Sequence, residues 1–160
     1  MTDKTGIHRG HLRFILILGA LTAFAPLAID MYLPAFPAIA AHFGTGEGAV
    51  QGTLAAYFIG MALGQSVIGP LSDRYGRLPP LLLGISAFAL ASVGATFAPS
   101  IDWLVAARFL QALGGCAGIV VARAMVRDLF DERHSAQVYS LLMLVMGVAP
   151  ILAPLFGGFL

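Results

Sequence analysis

Apolar side chains dominate five stretches of the chain, separated by short polar segments. They cover residues 14–36, 50–71, 78–98, 103–122 and 138–160, behind a polar tail at 1–13. At 1.5 Å per residue, about 20 residues cross the roughly 30 Å hydrocarbon core of a bilayer, and each stretch has that reach. The apolar runs are continuous rather than alternating over ten-residue segments as in a membrane barrel. In lipid every backbone group must be bonded internally, so the pattern predicts an all-α membrane protein of five spanning helices, with no segment left for a soluble domain. The first stretch holds Asp30, Pro34 and Pro37, yet stays apolar through Phe43. We expect that helix to kink at the prolines and continue, the alternative being that Pro34 ends it at the outer interface.

Composition supports the same class, because 59 % hydrophobic and 11 % charged residues lie far from the usage of a soluble domain. The net charge of +1 conceals an asymmetry. Lys4, Arg9 and Arg13 precede the first span, Arg74 and Arg77 lie between the second and third, and Arg123, Arg127 and Arg133 lie between the fourth and fifth. The alternate connections, 34–49 and 99–102, carry no Lys or Arg. The positive-inside rule places the N-terminal tail in the cytoplasm, in a multi-pass inner-membrane protein, and nothing in the charge implies a nucleic-acid partner. A cleaved signal peptide is the alternative at the N-terminus, with an apolar region from Phe14 to Thr22 and a small-x-small site at Ala23-Phe24-Ala25. Pro26 would hinder that cleavage and the apolar run continues past it, which favours a spanning helix. Cys116 is the single cysteine, and His8, His11, His42 and His134 lack metal-ligand spacing and read as surface residues.

Between the second and third spans stands Gly69-Pro70-Leu71-Ser72-Asp73-Arg74-Tyr75-Gly76-Arg77-Leu78-Pro79-Pro80-Leu81, read as a short cytoplasmic loop. It is similar to the G-x-L-a-D-r-x-G-r-k-x-x-l pattern of the major facilitator superfamily, with Leu78 at the second basic position. The fourth span carries Arg108-Phe109-Leu110-Gln111-Ala112-Leu113-Gly114, similar to that superfamily's R-x-x-q-G-x-g pattern, with Ala112 where glycine is usual. The fifth carries Ala149-Pro150-Ile151-Leu152-Ala153-Pro154-Leu155-Phe156-Gly157-Gly158, which resembles the antiporter pattern G-x-x-x-G-P-x-x-G-G with alanines at both leading glycine positions. With Asp30-Met31-Tyr32-Leu33-Pro34-Ala35-Phe36-Pro37 in the first span, the set resembles the bicyclomycin-resistance subfamily of drug:proton antiporters.

That resemblance implies twelve helices in two six-helix halves, so the chain is expected to be the amino-terminal portion of a longer transporter, truncated after its fifth helix. It also implies that Gly69, Asp73, Arg74, Gly76, Arg77 and Asp128 form a cytoplasmic gating motif. In that motif Arg77 and Asp128 would latch the outward-facing state, and Asp73 would meet a helix N-terminus of the remaining half. Pro150, Ala153, Pro154, Gly157 and Gly158 would form an antiporter-type helix motif. On physical grounds the two prolines should kink or loosen the helix, and the glycines would admit a close neighbour. Gly60 and Gly64 form a G-x-x-x-G pair that reads as packing.

Buried charge marks the candidate chemistry. Arg108 lies five residues inside Trp103, about 8 Å below the outer interface, and Asp30 lies sixteen residues beyond Phe14, about 24 Å from the inner one. The two are therefore expected at similar depth, where an unpaired guanidinium costs ~3 kcal/mol or more. Gln111 shares a helix face with Arg108. We expect Asp30 and Arg108, with Gln111 and Tyr57, to couple proton and substrate. Arginine stays charged at any accessible pH, which leaves Asp30 as the titrating member. Tyr57, Met143 and Met146 are candidate pocket residues. The functional expectation is a secondary active transporter exporting drugs or other small organic molecules in exchange for protons. A symporter or facilitator of the same superfamily, or a non-transporting helix-packing protein, are the alternatives. The implied partners are a small-molecule substrate, protons, the bilayer and further helices of the same polypeptide. No nucleophile with a base, phosphate-binding loop or metal cluster stands in the sequence, so neither an enzyme nor a cofactor is expected.

Overall fold

A computed structural model of the chain describes the backbone of residues 9–157 and the side chains of residues 13–131 and 134–148. In order, the elements are α1 (Arg9–Asp30), a 3-10 turn (Leu33–Ala35), α2 (Phe36–Phe43), α3 (Glu47–Tyr75), α4 (Leu78–Thr96), α5 (Ile101–Leu129) and α6 (Glu132–Gly157), and no strand occurs among the described residues. The fold is all-α and built for lipid. Large apolar side chains such as Leu16, Leu63, Leu83, Leu90 and Leu144 point outward, which only a hydrocarbon surround would stabilise.

The helix does continue past its prolines. α1 unwinds at Met31 and Tyr32, and Pro34 and Pro37 then fall in the first turns of the next two helical segments, where an N–H has no partner to lose. The result is one bent apolar span reaching Phe43. It ends at Gly44, whose φ of 62° is the left-handed conformation that closes a helix cheaply only with glycine.

α3 and α5 are each 29 residues long, about 43 Å at 1.5 Å per residue, and so project beyond a roughly 30 Å core. That length corrects one expectation. The segment read as a loop over Gly69–Leu81 is mostly helix: its first part closes α3, Leu78 opens α4, and only Gly76 and Arg77 lie between. Gly76 has φ 84°, a turn that a side chain would strain. Arg123 and Arg127 likewise ride on α5 rather than in the following connection. Hydropathy registers where lipid ends, whereas the helical hydrogen-bond ladder runs on into water.

α5 is the central helix. It packs against α1, α3, α4 and α6, and 67 % of its apolar window is buried, against 17 % for α3 and 22 % for α4. Small residues make this possible. A methyl placed on Gly114 would strike the Gly84 carbonyl and the Phe88 amide of α4, so the two backbones are in direct contact there. Gly60 and Gly64 serve the α3 crossing against Phe109 and Leu113, the packing role that their spacing suggested. α1 runs antiparallel to α5, with Phe14 near Phe130 and Ala28 near Arg108. At one end Ile15, Leu18, Ala122, Val126, Val138 and Leu142 join α1, α5 and α6 in a shared apolar cluster.

Candidate functional site

Arg108 is only 4 % exposed, in the middle of a polar cluster drawn from four helices. Its Nη1 donates to Gln111 Oε1 at 2.6 Å, a neighbour one turn along α5. Its Nη2 donates to the Ala28 carbonyl of α1 at 3.2 Å. The ring of Tyr32 stands 4.1 Å and that of Tyr57 4.5 Å from the guanidinium carbon, so the cation lies among aromatic faces that attract positive charge. Tyr57 is fully buried and donates its hydroxyl to the Ala25 carbonyl at 3.1 Å.

The cluster extends in both directions. Gln111 Nε2 donates to Ser92 Oγ of α4 at 2.7 Å, and Ser92 donates to the Phe88 carbonyl at 2.7 Å. On the other side the Thr53 hydroxyl donates to the Val50 carbonyl at 2.6 Å, which leaves the Tyr32 hydroxyl as donor in its 2.7 Å bond to Thr53 Oγ1. Polar groups in hydrocarbon have no water to fall back on, so the bonds that cross between helices, Tyr57 to Ala25, Arg108 to Ala28 and Gln111 to Ser92, hold those helices in register.

Of the residues expected here, the structure brings Arg108, Gln111 and Tyr57 together. Asp30 is level with them, two residues from the carbonyl that Arg108 contacts, but forms no ion pair with Arg108. The reason is local. Asp30 keeps the direction set by α1, whereas Tyr32 lies in the unwound turn beyond it, with its ring over the guanidinium. Met143 is 71 % exposed on the outside of α6, and neither it nor Met146 borders the cavity beside Arg108. Sequence reasoning missed Tyr32, Thr53 and Ser92. The available signal was small: a tyrosine next to a proline-rich break, and hydroxyls in otherwise apolar helices.

A second cluster lies at the end of the molecule where α3 and α5 finish. Arg77 Nε donates to Asp128 Oδ2 at 2.8 Å, and its Nη1 donates to Ser72 Oγ at 2.7 Å and Asp73 Oδ1 at 2.5 Å. One guanidinium thereby ties the α3–α4 turn to the protruding end of α5. The hydrogen bond to Asp128 raises the pKa of Arg77, and the same bond holds the Asp128 carboxyl below its ordinary range. Gly69 borders a cavity of about 350 Å³ beside this cluster, which Arg123, Arg127 and Tyr139 also line. Arg74 is outside the cluster, over the Tyr75 ring at 5.5 Å. In α6 the backbone is helical through Pro150, Ala153 and Pro154 to Gly157, while Gly158 lies outside the described residues. His134 donates its backbone N–H to Asp131 Oδ1 at 2.9 Å, a cap at the start of α6.

Residues 18–160 match the Major Facilitator Superfamily. The chain is 47 % identical over 156 residues to an uncharacterized MFS-type transporter, YdgK, of Bacillus subtilis, covering 98 % of this chain and 38 % of that protein. It is 40 % identical over 147 residues to a bicyclomycin resistance protein homolog of Haemophilus influenzae, covering 92 % and 37 %. It is 38 % identical over 150 residues to multidrug resistance protein D of Escherichia coli, covering 94 % and 38 %. The chain thus spans less than two fifths of the length of these relatives.

Proposed function

The chain belongs to the major facilitator superfamily, and from that premise we propose that it forms the first five membrane helices of a proton-coupled exporter of drugs or similar small organic molecules. The observation that carries this reading is the buried Arg108, tied to α1, α3, α4 and α5 at the level of Asp30. A bundle that served packing alone would gain nothing from a charge in hydrocarbon. The names of the Haemophilus and Escherichia relatives support the drug class.

In this mechanism Asp30 takes the proton. Neutral Asp30 leaves Arg108 on the Ala28 carbonyl. Ionised Asp30, two residues along the same helix, competes for the guanidinium and draws it from the Ala28 carbonyl to the end of α1. Proton uptake thereby changes how α1 grips α5, and two conformations that differ in this grip are all that coupling requires. Arg77 with Asp73 and Asp128 acts as the cytoplasmic latch, and the chain enters the membrane from the cytoplasmic side. The α6 motif through Pro154 supplies the antiporter character.

In the whole transporter, reconstituted in vesicles, Asp30→Asn should abolish export driven by an imposed pH gradient while substrate binding persists. Export by Asp30→Asn that follows the gradient as the parent does would place coupling elsewhere.

A further inference from the structure

A groove of about 650 Å³ runs between α3 and α4 over the surface of α5. Its floor is made of small residues such as Gly84, Ala91 and Ala106, the residue types that let the α4 and α5 backbones approach. Leu83 and Leu110 rise at its sides, both more than half exposed, and α3 contributes Ile68. Among the described residues no charged side chain borders it.

Trp103 stands at one end, in the first turn of α5, where its indole Nε1 donates to the Gly94 carbonyl at 3.0 Å and bridges α5 to α4. Tryptophan favours the membrane–water interface. Leu113 lies at the other end, ten residues along α5 and so about 15 Å away. That is half of the roughly 30 Å hydrocarbon core, so the groove has the depth of one leaflet.

Three other fillings fail on physical grounds. A buried water needs about 2–4 polar partners, and these walls supply none. A helix is about 10–12 Å across with its side chains, whereas 650 Å³ spread over this length leaves about half that cross-section. An empty groove would forfeit the dispersion contacts of its whole lining. Through Leu83 and Leu110 the groove is continuous with the surface that the helices present to lipid.

We propose that this groove is a binding site for an acyl chain of a phospholipid from the leaflet on the Trp103 side. The headgroup sits beside Trp103 and the chain end lies among Ile68, Leu83 and Leu113. Lipid tails are as apolar as the groove, so no hydrophobic force drives the chain in; close packing against a fixed surface holds it there. The site requires only residence in the bilayer and stands apart from the transport reading.

The test uses the whole transporter in vesicles doped with a phospholipid that carries a diazirine at the end of one acyl chain. Photolysis and peptide mass spectrometry should place label on Leu83 and Leu113 in preference to Val67 and Leu82, which are exposed near the same depth but outside the groove. Ala106→Phe puts a ring into the groove from an exposed position and should remove most of the label on Leu83 and Leu113, leaving label elsewhere unchanged. Ala87→Leu fills the groove from α4 and should do the same, which decides the matter if Ala106→Phe does not fold. Label spread evenly over exposed apolar side chains would mean an ordinary lipid annulus and overturns the proposal. Absence of label from Leu83 and Leu113 would mean that further polypeptide covers the groove, and overturns it too, as does label there that survives the filling substitutions. Photolabelling needs no ion gradient, so its outcome is independent of whether Asp30→Asn uncouples export from protons.

Discussion

Adding one methyl group at the α4–α5 crossing should weaken both the fold and the Arg108 cluster. In Gly114→Ala the new Cβ would lie 2.6 Å from the Phe88 amide nitrogen and 3.2 Å from the Ala87 carbonyl carbon, and closer still to the Gly84 carbonyl oxygen. Ordinary contact begins near 3.4 Å, and all three neighbours are backbone, so no side chain can swing aside. The helices must separate by most of an ångström. Overpacking of this kind costs about 1–3 kcal/mol. Ser92 is one turn from Phe88, so a separation of that size stretches the 2.7 Å Gln111–Ser92 bond past the ~3.2 Å limit, a further loss of about 1 kcal/mol. Alanine's better helix propensity returns about 1 kcal/mol, leaving a net destabilisation of about 1–3 kcal/mol. Gly147→Ala in α6 is the control, because a Cβ there meets nothing within 4 Å and only the propensity gain of about 1 kcal/mol applies. Equilibrium unfolding of the purified transporter in mixed micelles, followed by far-UV circular dichroism, reads both. Equal stability of the two variants would refute direct backbone contact at the crossing, and with it the placement of Ser92 against Gln111.

Tyr57→Phe removes the bond to the Ala25 carbonyl but keeps the ring over Arg108, so it should cost about 1 kcal/mol in the same assay; Tyr57→Leu also loses the ring face and should cost about 0.5–2 kcal/mol more. The Asp128 carboxyl is held below its ordinary range by Arg77, so its contribution is complete above the unfolded pKa of about 3.9 and is lost as pH falls through the lower folded value. The melting difference between Asp128→Asn and the parent should therefore be flat from about pH 5 to 8, and a slope across that window would contradict the assignment. A cysteine at Gly46 should react with an impermeant thiol reagent from outside the cell, and one at exposed Tyr75 only after permeabilisation; the reverse pattern would invert the orientation. Arg77→Ala in the whole transporter should slow or speed transport at normal expression, and an unchanged rate would remove the latch.

The Arg108 cluster was half legible in advance. Arg108 stands out because a charge in an apolar run has few innocent explanations, and Gln111 follows from its position one turn along. Tyr57 came as one pocket candidate beside Met143 and Met146. Ser92 and Thr53 gave no such signal, since membrane helices carry hydroxyls that bond their own backbone, as both of these also do. Asp30 and Arg108 were placed at similar depth from residue counts, and the Ala28 contact bears that out. Their pairing was not, because depth says nothing about which way a side chain faces.

Residence in lipid, helical passes and the bend that carries the first span on to Phe43 were determined by the sequence alone. Each is a property of one segment against its solvent: apolar length matched to the bilayer, backbone groups that must bond within the helix, and prolines that fit only a first turn. Tertiary structure decided that α5 is the centre, that Gly114 and Gly84 touch, and that a tyrosine rather than an aspartate covers the guanidinium. Those outcomes depend on the rotation of one helix relative to another. Successive residues point about 100° apart around a helix of 3.6 residues per turn, so a residue count fixes the depth of Asp30 but not the side on which it leaves α1, and Tyr32 reaches Arg108 from the turn beyond.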